Sequence, residues 1–215
     1  MATIAELKIL VGDRRRNLGD AHPDTLTAML DLAEALWVEG QLSRARQLEE
    51  EVVAGRRALF GDAHYDTLKA LGKLASTLGQ QGDLVEARRL QEQVAAGMRA
   101  LYGDEHRETL RAINNLAGTV AAGGDMAAAS LLLDETIATL SRLFGQDDGD
   151  TLIAMGNLAA LLWQSGECDD AYALQEQVVT ALRRTLPMDD QTLLRAQAVL
   201  DLMLRDGLAS SSSSY

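Results

Sequence analysis

Few residues in this chain are of a type that does chemistry, and their spacing decides what that chemistry is. Three histidines recur at an even interval, His22, His64 and His106, and are the candidate metal ligands. The single thiol, Cys168, is the candidate nucleophile. An even 42-residue interval places repeated positions about one repeat, on the order of 10 Å, apart in a stacked array. A zinc ion holds its ligand nitrogens at about 2 Å, so neighbouring histidines cannot share one, and a structural turn role is expected instead. Cys168 aligns with Leu42, Leu84 and Met126, which predicts a buried, inert thiol. Arg16, Arg57, Arg99 and Arg183 are read as a row near successive helix ends. Such a row suits dipole matching and surface ion pairing better than a phosphate ladder in so acidic a chain. No GxxxxGK[ST], GxSxG, HExxH or GxGxxG occurs. No catalytic residue, metal or cofactor is therefore expected, and the chain is expected not to be an enzyme.

The elements that carry these residues follow from one repeated phrase. HPDTL at 22–26 returns as HYDTL at 64, HRETL at 106 and DGDTL at 148, and a fifth start is expected at Asp189, one residue early. After each phrase comes a segment with apolar residues at spacings of three and four, closed by Gly40, Gly82, Gly124, Gly166 and Gly207. These glycines are expected to end helices in a left-handed residue. A second segment follows with Ala45, Ala87, Ala129 and Ala171 at one place, and it closes on Gly61, Gly103 and Gly145. The unit is an antiparallel helix pair, here called A and B. Histidine opens helix A, Pro23 suits its first turn, and Asp24, Asp66, Glu108 and Asp150 complement the positive helix end. Residues 3–18 match a B helix and 190–207 an A helix. The expectation is about ten helices: four full repeats and a half repeat at each end.

Composition agrees. The chain has 215 residues, 47% of them hydrophobic but only 4% aromatic, with two prolines and one cysteine. That bias favours helix, and a single cysteine excludes an internal disulfide framework. A net charge of −12 is repelled by nucleic acid and by anionic membrane. No apolar run reaches the roughly 20 residues that span a bilayer, and MATIAELKIL lacks a signal-peptide pattern. A cytoplasmic protein is expected, and 17 arginines against three lysines suggest a bacterial one. Residues 1–208 are expected to form one domain, with a disordered Ser-rich tail over 209–215.

The Leu-Ala pairs (Leu32-Ala33, Leu74-Ala75, Leu116-Ala117, Leu158-Ala159), the turn glycines and the HxDTL and NNLA phrases resemble the tetratricopeptide repeat family in its 42-residue, kinesin-light-chain-like form. The resemblance runs from about residue 6 to 207. It implies an all-α fold, a right-handed α-solenoid of antiparallel helix pairs whose concave groove is lined by A helices. Carried over position by position, the groove residues are Thr27, Leu30, Glu34 and Trp37, then Lys69 and Ser76, then Arg111 and Asn114, then Ile153, Trp163 and Gln164. Both tryptophans occupy one groove position, where each is either an aromatic anchor or core.

The function expected from this resemblance is a non-enzymatic scaffold for a protein or peptide segment, apolar with basic flanks to suit the acidic chain. Two alternatives stand beside it: the sensor array of a larger signalling ATPase, and a small molecule held between Trp37 and Trp163. The apolar residues of the last helix, Leu193, Leu200, Leu202 and Leu204, suggest self-association through the termini.

Overall fold

The computed structural model describes residues 2–212, with side chains through Arg205. Among the described residues there are ten helices and no strand: α1 (Ile4–Leu18), α2 (Pro23–Val38), α3 (Leu42–Phe60), α4 (Tyr65–Gln80), α5 (Leu84–Tyr102), α6 (Arg107–Ala122), α7 (Met126–Phe144), α8 (Gly149–Ser165), α9 (Cys168–Thr185) and α10 (Gln191–Ser212). Odd-numbered helices are the B helices and even-numbered ones the A helices. No helix of the described residues is long and apolar enough to cross a membrane.

Two compact units divide the chain, Met1–Ala112 and Ile113–Tyr215. In the first, α1 packs on α2, α2 on α3, α3 on α4 and α4 on α5. Its core holds Met29, Val52, Leu68, Leu71 and Leu78, all fully buried. In the second, α7 packs on α8, α8 on α9 and α9 on α10. There, Leu133 and Leu161 form one cluster with Ala129, and Val178, Leu182, Leu193 and Leu200 form another. Within each unit these consecutive helices pack on one another, the contact pattern of a repeat array.

The repeated phrase is architectural at every position. The imidazole Nδ1 of His22, His64 and His106 accepts the backbone N–H two residues on, at 3.2 Å each, as an N-cap does. Asp148 does the same work for α8 at 3.1 Å. The cap of α10 is Asp190, which accepts from Thr192 at 2.7 Å. The fifth start thus falls in full register, not one residue early at Asp189. Thr25, Thr67, Thr109 and Thr151 are wholly buried; Thr109 and Thr151 donate to the carbonyls of Gly103 and Gly145 at 2.7 and 2.9 Å. Leu26 and Leu68 dock where the facing B helix has no side chain. A Cβ on Gly97 would stand 2.6 Å from Leu68 Cδ2, and one on Gly55 would stand 2.8 Å from Leu26 Cδ2.

The turns explain the aromatic residues that close the B helices. Phe60 stacks on the His64 ring at 4.5 Å and Tyr102 on His106 at 4.4 Å, so each turn is bracketed by a ring pair. Gly61, at φ 86° and ψ 171°, sits in a region open almost only to glycine. Arg15, Arg57 and Arg99 each pair with an aspartate five residues on (Asp20, Asp62, Asp104) across these turns. The row therefore begins at Arg15. Arg16 falls one position out of register and pairs within its own helix with Asp13.

Two further expectations are revised. Cys168 is exposed, not buried. It is the first residue of α9, a position only half covered even for the larger Leu42, Leu84 and Met126. Gly207 does not end the last helix, which runs on to Ser212. Residues 213–215 of the expected Ser-rich tail lie outside the described residues.

Candidate functional site

The A helices of the first unit expose a mixed face because their buried stripe is broad. Helix α2 turns Leu26, Met29, Leu30, Ala33 and Leu36 inward, leaving Thr27, Glu34, Trp37 and Val38 outside. Helix α4 buries Leu68, Leu71, Leu74, Leu78 and Thr77, and leaves Lys69 and Ser76 exposed. Behind them α3 buries the stripe Ala45, Glu49, Val52, Val53 and Arg56. Two members of that stripe are charged, which the repeat pattern alone does not require.

Arg56 is 6% exposed and serves the fold. Its Nη1 donates to the Asp66 carbonyl at 2.8 Å and its Nη2 to Thr27 Oγ1 at 3.5 Å, holding the first turn of α4. Arg14 repeats the motif one unit earlier, on the Asp24 carbonyl at 2.5 Å. Burial lowers the Arg56 pKa, against the opposing pull of Asp66 and Asp31.

Glu49 has no comparable partner. Its side chain is 2% exposed, and the equally buried Thr77 hydroxyl is the hydrogen-bond donor beside it; neither Oε2 nor that hydroxyl reaches any other group. Burial pushes the Glu49 carboxyl above its ordinary range, and the adjacent Thr77 hydroxyl and Lys73 ammonium pull it back less strongly. Above Glu49 lies a pocket of about 210 Å³ lined by Glu34, Trp37, Val38, Glu49, Lys73, Ser76 and Thr77. Lys73 Nζ lies 3.0 Å from Glu34 Oε2. Trp37, 36% exposed, forms one wall, and Val38 stands 72% exposed beside it.

The residues expected to line a groove divide on inspection. In the first unit Thr27, Glu34, Trp37, Lys69, Ser76 and Arg111 are exposed, and three of them (Glu34, Trp37, Ser76) meet at the pocket. Arg111 pairs with Glu108 at 2.9 Å. Leu30 is only 7% exposed, because it shares the inward side of α2 with Met29 and Ala33. In the second unit Ile153 and Gln164 are exposed and Trp163 is half-buried. Asn114 is buried, its Oδ1 accepting from Asn157 Nδ2 at 3.0 Å. Leu30 and Asn114 are therefore packing residues and not open groove positions. Trp37 and Trp163 belong to different units, and Trp37 lines the pocket of the first. Sequence reasoning missed Glu49, Lys73 and Thr77; the available signal was a carboxylate four residues after Ala45, on the buried side of α3.

Larger hollows in the second unit lie elsewhere. One of about 580 Å³ is lined by residues of α7, α8 and α9, including the ion-paired Asp147 and Arg184. It contains none of the expected groove residues.

Comparison with known proteins places this geometry in context. Models of the tetratricopeptide repeat family match residues 25–66, 66–141 and 151–192. Among solved structures, a Podosopora anserina protein of kinesin-light-chain, nearly identical TPR-like repeats is 27% identical, with a TM-score of 0.67 over 85% of this chain and 86% of that one. BtubC (BKLC) from P. vanneervenii is 20% identical, with a TM-score of 0.72 over 94% of this chain and 82% of that one. PlcR of Bacillus thuringiensis, solved in complex with the peptide PapR7 and DNA, is 14% identical. Its TM-score is 0.62 over 93% of this chain and 69% of that one. No curated protein matches the chain in sequence.

Proposed function

The chain belongs to the tetratricopeptide repeat family, and from that premise we propose that it is a non-catalytic binding module holding an extended peptide segment on the exposed faces of α2 and α4. The observation that carries this is the α2–α4 surface of the first unit, where a half-exposed tryptophan edges a pocket among Glu34, Lys73 and Ser76. Half-exposed tryptophan beside a cavity is the residue type and setting of an interface hot spot. PlcR, of the same fold, carries a peptide in its crystal structure, which supports this use of the architecture. A pocket of about 210 Å³ falls below the roughly 300–1,000 Å³ of drug-sized ligand sites, which favours one side chain of a segment over a free metabolite. The test is selection of binders from a displayed random peptide library, followed by Trp37→Ala. The substitution is expected to weaken the selected peptides by about 1–3 kcal/mol at nearly unchanged stability. A loss of about 3–5 kcal/mol of stability would make Trp37 a core residue and remove the basis of the proposal.

A second surface supports self-association. Helix α10 buries Leu193, Leu200 and Met203 but leaves Leu194, Val199, Leu202 and Leu204 between 41% and 57% exposed. The sequence expectation named Leu193 and Leu200 for this contact. Both are instead consumed in the α9–α10 interface, because residues seven apart return to the same helix face. The contact would be made by the other four, against a second copy. A net charge of −12 opposes it, so screening by salt should strengthen it.

A further inference from the structure

We propose that the pocket beneath Trp37 is a receptor for a single lysine side chain of the bound segment, with Glu49 as its counter-ion. The proposal rests on the peptide-binding reading above and assigns the chemistry of one of its contacts.

Three observations lead to it. The Glu49 carboxyl, 2% exposed, lines a cavity, and its Oε2 has no group beside it but the equally buried Thr77 hydroxyl. A buried carboxylate is ordinarily held by several donors, so a single neighbouring hydroxyl leaves Glu49 short of partners. The one cation at the pocket, Lys73, lies 3.0 Å from Glu34 Oε2 at the exposed edge. Held at that edge by Glu34, Lys73 offsets the burial of the deep carboxyl only in part. Finally, the fold does not demand an acid there: the equivalent positions of the next three B helices carry Gln91, Leu133 and Gln175, all buried. A carboxylate retained in a buried place that accepts glutamine or leucine is explained by what it binds.

The walls select the form of the cation. Trp37 and Val38 offer an apolar lining for an alkyl stem, and the indole face attracts an ammonium. Ser76 Oγ, which donates to the Gly72 carbonyl at 3.1 Å, keeps lone pairs free at the same pocket. Glu49 Oε2, Thr77 Oγ1 and Ser76 Oγ thus match the three donors of an ammonium. Because burial keeps the Glu49 proton on to higher pH, cation uptake expels that proton. The charged neighbours are Glu34 from α2, Glu50 from α3 and Lys73 from α4. Binding should therefore tighten as pH rises through the raised carboxyl value.

Two probes test this on the full chain. The first is a peptide library with one position fixed as lysine, arginine, norleucine or glutamate. The second is the n-butylammonium ion, a lysine side chain without its backbone, followed through the Trp37 indole N–H resonance. Lysine should be preferred, and its replacement by norleucine should weaken a selected peptide about tenfold or more. Glu49→Gln should cause the same loss for the lysine peptide and none for the norleucine peptide. n-Butylammonium should shift the Trp37 resonance saturably in the wild type and not in Glu49→Gln. Peptides that bind without lysine preference, or with arginine preferred, would overturn this proposal and leave peptide binding standing. A saturable butylammonium shift with no peptide bound would support the pocket and sink the segment reading. Neither peptide binding nor a butylammonium shift would overturn both.

Discussion

Replacing Glu49 by leucine should stabilise the protein, and the structure sets how much. The Glu49 side chain is 2% exposed, and its Oε2 has no group beside it but the Thr77 hydroxyl. Leaving a buried polar atom unsatisfied costs about 1–3 kcal/mol. Leucine fits, because the equivalent Leu133 is buried to the same extent and the cavity of about 210 Å³ leaves room for a branched tip. Glu49→Leu is therefore expected to gain about 1–3 kcal/mol at neutral pH, with each kcal/mol worth about 2–4 °C in Tm for a chain of this size. The pH dependence follows from the raised carboxyl pKa. Between the ordinary value of 4.5 and the raised one, the native state holds a proton that the unfolded chain has lost. Stability of the wild type therefore falls as pH rises through that window, and the penalty is complete above it. Leucine does not titrate, so its advantage grows as pH rises through that window and is smallest near pH 4.5. Urea unfolding followed by far-UV circular dichroism reads this as a higher midpoint at unchanged slope. A lower midpoint for Glu49→Leu at pH 7, or a gain independent of pH, would show that the buried carboxylate is not the cost described.

Other changes probe the turns, the docking of the helices and the last helix. His64→Ala removes both the N-cap acceptor and the ring stacked on Phe60 and should cost about 1–2 kcal/mol in urea unfolding. His64→Asn keeps the cap and should cost less. Gly97→Ala, whose new Cβ would meet Leu68 at 2.6 Å, should destabilise by about 1–3 kcal/mol less the gain in helix propensity. Gly118→Ala, with nothing within 4 Å, should be neutral or stabilising in the same assay. Leu202→Glu should abolish concentration-dependent association in sedimentation, which added salt should strengthen in the wild type; a wild type that stays monomeric at every concentration would end that proposal.

The helix pairs were legible because a 42-residue period repeats helix-start and helix-stop chemistry in register. His64, Thr109 and Leu68 each do one local job that a short phrase can encode. The pocket was not legible for the same reason. On α3, Glu49 stands among Arg46, Gln47, Glu50 and Glu51 and reads as one more solvated residue of an amphipathic helix. Only the packing of α2 and α4 over it makes it a buried acid. Leu30 and Asn114 failed as groove residues because a family position fixes a direction along the helix, while the neighbouring side chain decides coverage. Asn157 covers Asn114, and no local pattern announces that pair. The Cys168 expectation failed by treating half-covered leucines as evidence of burial.

The central claim, that a peptide segment lies on the A-helix face beside Trp37, is tested most directly by titrating a selected peptide into the chain and following its indole N–H resonances. There are two tryptophans, hence two such resonances. The account predicts that the Trp37 resonance moves saturably with peptide, together with the amides of Ser76 and Thr77. Saturable binding that leaves all three unmoved, and shifts residues on the outer faces of α3 and α5 instead, would contradict it.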